Sequence, residues 1–393
     1  METKENKRRW HLIRNNNGEW ISDDNAVILS TLEVGVLKVW AAKQGKALSV
    51  QHGPEGILWC YKHEIDAIDC QNQEINPNYR VLKIKKTMEK EIVKKSMTVT
   101  KFTEKCRARQ GAFREEMGEP MGVGPKKSST HKHTNMITNG EVTGKNFVNK
   151  FAFEYAKKRV ANKQKNETID EFRLFNNLLS SQPMAFNLFC PFIQMMEEGK
   201  TELVSSIFNT IFPDMGIKEV TEVGLEYLHT DVENYLNDKT AMDAIIRYID
   251  TDGKQSFIAI ETKYTDVLGT NTGSEKALYK EWIKRLGVFK PKTEEALLNG
   301  IKPVSQIYRN FLLTECYGVM EKAGRYYSVV LSPAQHPTTK EEVASLRDEL
   351  KPEYQYKVSS VSLEDFIEKT LIVCPTEEKE PFVYFFNRYC KQS

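Results

Sequence analysis

The 393-residue chain has no long apolar run and no cysteine pair at C-x-x-C spacing. The first absence argues against a membrane-spanning helix, and the second against a zinc ribbon or a thioredoxin-like redox centre. Seven cysteines, an odd number, lie scattered from Cys60 to Cys390. That pattern suits buried free thiols better than a disulfide framework. Charge of one sign is also lacking. A formal net charge of +2 provides no global field, so any binding of nucleic acid has to come from local patches. There is no Walker A loop, no G-x-S-x-G elbow and no H-E-x-x-H. His131 and His133 stand in a Lys/Ser/Thr stretch with too few neighbouring ligands for a metal, and read as a solvated loop. The opening METKENKRRW is polar rather than signal-like, from which a cytoplasmic location and no membrane partner are expected.

What is present suffices for a large core: 40% of the residues are hydrophobic and 10% aromatic, in a length that allows two or three domains. Residues 1–80 hold four of the five tryptophans, Trp10, Trp20, Trp40 and Trp59, and read as a small α+β domain whose role the sequence leaves open. Its helix starts at a capping box, Ser30 to Glu33, and carries the stripe Leu32, Val36, Leu37 and Trp40. Strand-like runs at Trp10–Ile13, Ala47–Val50 and Gly56–Tyr61 flank it. Residues 81–145 read as a basic helical and loop linker, with a flexible join over Gly118–Gly144. Lys94, Lys95, Arg107 and Arg109 are its candidates for tracking a phosphate backbone, which would give salt-dependent affinity without reading bases. The same charges suit a solvated helix equally well.

Residues 146–393 read as one further domain, and its most informative stretch is MDAIIRYIDTDGKQSFIAIETKYTD, from Met242 to Asp266. Two apolar runs flank strong turn chemistry at Asp250–Lys254, the pattern of a β-hairpin. A three-residue loop with Gly253 in the left-handed position pairs Asp250 with Lys254. That register carries Asp243 directly opposite Glu261, and strand alternation puts Lys263 on the same face. Like charges directly opposed in a sheet repel, and in a poorly solvated site one must protonate unless a cation lies between them. Carboxylate ligation suits Mg²⁺ or Mn²⁺. The chemistry expected is phosphodiester hydrolysis. Asp243, Glu261 and the backbone carbonyl of Thr262 would hold the metal, and Lys263 would position or deprotonate a water, or stabilise the transition state.

With Asp243 and the Glu261-Thr262-Lys263 triplet in this order, the chain resembles the PD-(D/E)XK nuclease superfamily. The resemblance spans roughly Ala112 to Leu331, and the segments around Gln182, Phe186–Phe189, Gly224–Leu228 and Asp266 are similar to a bacterial branch of it. It implies a restriction-endonuclease-like fold, an α-β-β-β-α-β core with a mixed central sheet between helices. The elements that fit are a helix-rich Glu167–Met196, strands over Val220–Leu228, Thr240–Ile249 and Ser256–Lys263, a helix over Ile301–Cys316, and a strand over Arg325–Leu331. Beyond them, Thr338–Leu350 reads as a helix, Tyr356–Val361 as a strand, and the aromatics from Phe382 to Tyr389 as a last helix. The resemblance adds Glu226 as a third acidic ligand or a water-holding carboxylate, and Gln306 as an active-site glutamine. It also adds Gln182, which supplies no charge where many members carry an acid, so the number of metals stays open. Arg309, one turn after Gln306, could reach the phosphate backbone. The activity implied is a metal-dependent deoxyribonuclease, with restriction or phage defence as its setting and a homodimer as a way to cut both strands. The alternatives are a catalytically silent module that binds nucleic acid or a partner protein, and an RNA-cleaving enzyme.

Overall fold

The computed structural model describes residues 97–163, 169–229, 235–237, 240–269 and 277–391, with short segments in the first 61 residues. The chain divides into two compact units, Met1–Lys95 and Ser96–Ser393. In the first, Ala26–Leu29, Leu58–Tyr61 and Gln51–His52 form a three-stranded antiparallel sheet, and Leu12–Arg14 pairs with Trp20–Ser22. The helix expected from Leu32, and Lys94 and Lys95, lie outside the described residues.

A five-stranded mixed sheet organises the second unit. Strands β1 (Ile217–Tyr227), β2 (Met242–Asp250) and β3 (Gln255–Thr262) run antiparallel; β4 (Tyr326–Ser332) and β5 (Val358–Ser362) continue the sheet in parallel. Spatial order from one edge is β5-β4-β3-β2-β1. Parallel neighbours require crossovers, and helices supply them. Helices α6 (Ala277–Leu286), α7 (Pro291–Leu298) and α8 (Gln306–Met320) join β3 to β4, and α9 (Thr339–Glu349) joins β4 to β5. Before the sheet come α1 (Val99–Glu116), α2 (Lys150–Ala161), α3 (Glu171–Asn176), α4 (Ser181–Glu197) and α5 (Thr201–Ile211); after it come α10 (Leu363–Val373) and α11 (Glu380–Phe385). This is the mixed sheet between helices expected from the sequence.

Alternation along β3 explains the layering. Ile258 and Ile260 enter a core with Phe186, Phe192, Phe208 and Phe366 from α4, α5 and α10. Phe257 and Ala259 enter a second core with Trp282, Phe311 and Leu346 from α6, α8 and α9. The face bearing Phe257 and Ala259 is also the face on which Glu261 and Lys263 follow, which brings α8 over the ionisable triplet.

Of the segment expected as a linker, the part from Ser96 onward belongs to this unit. On α1, Phe102, Cys106, Gln110 and Arg114 are buried. Arg388, 1% exposed, donates to Gln110 Oε1 (3.1 Å), Asn146 O (2.8 Å) and Asn146 Oδ1 (2.6 Å). Arg109 Nη1 donates to the carbonyl of Tyr389 at 2.8 Å, and Arg107 Nη1 to Asn135 Oδ1 at 2.7 Å. Each guanidinium thus makes a fold contact through one of its nitrogens. The stretch expected as a flexible join is docked too. Ile137 N donates to Asn176 O at 3.0 Å, and a Cβ on Gly140 would lie 2.0 Å from Phe175 O, so only glycine fits there.

His336 ties three segments together. Its Nε2 faces the carbonyl of Asp266 at 3.2 Å, its Nδ1 accepts from the Thr339 N–H at 3.3 Å, and its ring packs edge-on against Phe102. This arrangement requires the neutral ring, and burial, aided by the nearby Lys263 charge, lowers its pKa. A depressed histidine pKa adds stability above the unfolded value of about 6.5 and loses it as pH falls through the folded value. In thermal melts across pH 5–8, the His336 contribution to stability is therefore expected to decline below about pH 6.5. This decline should be missing from His336→Gln, and equal slopes in the two proteins would contradict this role.

Candidate functional site

The hairpin register places the acids. Asp250 N donates to Lys254 O at 2.9 Å, Gly253 has φ +77°, and the ladder pairs Gln255 with Ile249 through Ile260 with Ala244. The ladder ends there, and the same register carried one step further leads to Asp243 and Glu261. Asp250 locks this turn. Its Oδ1 accepts from the N–H groups of Asp252 and Lys254, both at 2.9 Å, and its Oδ2 from the Ser256 hydroxyl at 2.9 Å. Burial alone would raise the Asp250 pKa, but these bonds and Arg325 outweigh it and hold the carboxyl below its usual value.

Asp243, Glu261, Lys263, Gln306, Glu226, Gln182 and Arg309 all line one cleft of about 580 Å³. Helix α8 lies over Glu261: Gln306 Nε2 donates to Glu261 Oε1 at 2.8 Å, and Asn310 Nδ2 to Oε2 at 2.9 Å. Lys263 Nζ is 2.8 Å from Glu261 Oε1 and donates to Gln306 Oε1 at 3.2 Å. Gln306 is fixed in turn by Gly269, whose N–H donates to Gln306 Oε1 (2.9 Å) and whose carbonyl accepts the Gln306 N–H (3.0 Å). Asp243 Oδ2 accepts from the Thr262 N–H at 2.7 Å and the Thr262 hydroxyl at 2.8 Å. Thr262 thus contributes its N–H and hydroxyl to the site as hydrogen-bond donors.

On the opposite wall, Gln182 Nε2 donates to Glu226 Oε1 at 2.8 Å, and Arg159 donates to the Glu226 carbonyl at 3.2 Å. Glu226 has φ +49°, a left-handed conformation that costs a non-glycine residue about 1 kcal/mol or more and is concentrated at functional sites. Arg309 donates to the Thr240 hydroxyl. The cleft also takes in Asp170 and Arg173, which no sequence motif singles out. Nor does any motif mark Asn310, although its i+4 spacing from Gln306 is a usable signal.

Burial pushes the Asp243 carboxyl well above the usual carboxylate range, and the charges of Glu261 and Glu226 push it further. Lys263 shows the complementary effect: burial alone would lower its pKa, but Glu261 and Asp243 outweigh it and hold the ammonium charged. Among the described residues no three His, Cys, Asp or Glu side chains form a ready-made metal cluster. The donor chemistry nevertheless fits a hard cation. Hydrogen bonds occupy Oδ2 of Asp243 and Oε1 of Glu261, leaving Asp243 Oδ1 and a position on Glu261 Oε2 as carboxylate oxygen donors. Gln182 Oε1 is a buried acceptor without a partner in the same cleft.

No curated protein and no solved structure matches the chain. Among the described residues no helix is long and apolar enough to cross a membrane. The family model described as the PD-(D/E)XK nuclease superfamily matches residues 98–391, from the start of α1 to the residue after Cys390, and takes in the whole sheet and cleft. The chain therefore belongs to the PD-(D/E)XK nuclease superfamily, whose members are generally metal-dependent nucleases.

Proposed function

We propose that the chain is a divalent-metal-dependent nuclease that hydrolyses phosphodiester bonds of DNA. One observation carries this reading: a charged lysine sits 2.8 Å from Glu261 on the cleft wall that Asp243 shares. A module that only binds has no need of an ammonium buried against two carboxylates, whereas hydrolysis of a phosphodiester does. Mg²⁺ or Mn²⁺ would be held by Asp243 and Glu261, with the Thr262 carbonyl and Glu226 as further ligands, and would supply a Lewis acid for the scissile phosphate. Lys263, steered by Glu261 and Gln306, would orient the attacking water and offset charge developing on the phosphate. Gln182, Arg309 and Arg173 would meet the nucleic-acid backbone at the mouth of the cleft. Restriction or phage defence, with two copies cutting two strands, is the setting that the family suggests by analogy.

The test is incubation with plasmid, linear duplex, single-stranded DNA and RNA, in Mg²⁺, Mn²⁺ or EDTA. Cleavage of DNA in either metal, abolished by EDTA and restored by excess metal, is the expected outcome. Cleavage confined to RNA would replace the substrate. Retained binding without cleavage of any substrate would favour the silent binding module.

A further inference from the structure

Asn310 lies beside the residues that would hold the metal, and its hydrogen bonds mark it out. A carboxylate offers about four acceptor positions, two on each oxygen. On Glu261, Oε1 has both of its positions taken, by Gln306 Nε2 at 2.8 Å and Lys263 Nζ at 2.8 Å. Oε2 has one taken, by Asn310 Nδ2 at 2.9 Å. The position that remains is the second one on Oε2, and its direction is set by the first. Flipping the Asn310 amide would put two acceptors face to face, so Glu261 fixes the amide as firmly as the amide fixes Glu261. The carbonyl end gains nothing from the arrangement: Asn310 Oδ1 is buried with no hydrogen-bond partner. An amide that leaves its oxygen orphaned is held for its N–H.

Both amides on α8 act on one carboxylate because residues four apart share a helix face. Both are neutral donors, so they steer Glu261 without cancelling its charge, whereas a second lysine or arginine at 310 would compete with a cation. Gln306 is tied to Gly269 and Lys263 as well as to Glu261, while among the described residues the Asn310 side chain bonds to Glu261 alone. We infer that Asn310 is a positioning residue that aims the open acceptor of Glu261 at the cation this cleft takes. The inference rests on the functional reading above.

Titration calorimetry with Mn²⁺ tests it without recourse to turnover, on the full chain, alongside melting in EDTA. Asn310→Ala removes the donor and leaves a gap; Asn310→Leu removes it and keeps the branched shape. Partners that orient a metal ligand are worth about 10- to 100-fold in metal affinity. Both variants should lose Mn²⁺ affinity within that range, and Asn310→Leu should melt in EDTA close to wild type. Wild-type Mn²⁺ affinity in Asn310→Leu would overturn the inference and leave the nuclease reading intact. A wild-type protein that binds no Mn²⁺ would remove the metal site itself, and both readings with it.

Discussion

Asp243→Asn is expected to give a protein that is inactive as a nuclease and, in EDTA at neutral pH, more stable than wild type. Two carboxylates opposed across a sheet, and partly withdrawn from water, oppose folding. Asparagine keeps the shape, and its Oδ1 can still accept from the Thr262 N–H and hydroxyl, which now hold Asp243 at 2.7 and 2.8 Å. The sign follows from linkage. The Asp243 pKa is raised in the fold by burial and by Glu261, so ionisation costs more in the folded state than in the unfolded one. That penalty is absent below the unfolded value of about 3.9, grows as pH rises from there, and is complete above the folded value. The variant's advantage should therefore vanish near pH 4. Relief of up to about 1 kcal/mol would raise the melting temperature by roughly 2–4 °C. Adding Mg²⁺ should raise the melting temperature of wild type but not of Asp243→Asn, because only the former gains a ligand on folding. A variant that is less stable at pH 7–8, or that still cuts DNA, would remove the charge conflict from the site.

Lys263→Ala should lower turnover by about 10²- to 10³-fold, the cost of removing one preorganised stabiliser of developing charge. Its binding of DNA, measured with Ca²⁺ in place of Mg²⁺, should change little, since the ammonium faces Glu261 and Gln306 inside the cleft rather than its mouth. Lys263→Arg should not restore the rate: a planar fork cannot occupy the place of a compact ammonium wedged between two oxygens. Equal cleavage by wild type and Lys263→Ala would point to a contaminating nuclease.

The parts of this site that were legible in the sequence are those fixed by short-range geometry. Asp250, Gly253 and Lys254 determine a turn; the turn determines a register; the register brings Asp243 to Glu261. Strands β1 to β4 announced themselves in the same way, through apolar runs between turn residues. Contacts that depend on where a distant helix lands were not legible. Asn310 meets Glu261 only because α8 crosses that face of the sheet, and Gly269 meets Gln306 only because the chain after β3 returns there. The buried face of helix α1 was not legible for a related reason. Its Lys101, Lys105, Arg107 and Arg109 suggest a solvated surface, and its buried side chains include Gln110 and Arg114, which no hydrophobic pattern reveals. Burial of such groups depends on partners far along the chain.

Gln110 waits for a partner 278 residues downstream, since the Arg388 guanidinium and carbonyl both bond to its side chain. During synthesis α1 emerges early, yet the set of buried bonds around its Gln110 amide, which also includes the Tyr264 hydroxyl, cannot be completed until Arg388 has left the ribosome. At about 5–20 residues per second, that interval lasts on the order of 14 seconds or more. The domain that carries the cleft is thus closed by its last turn, and an unfinished chain lacks the residue that seals its first helix in place.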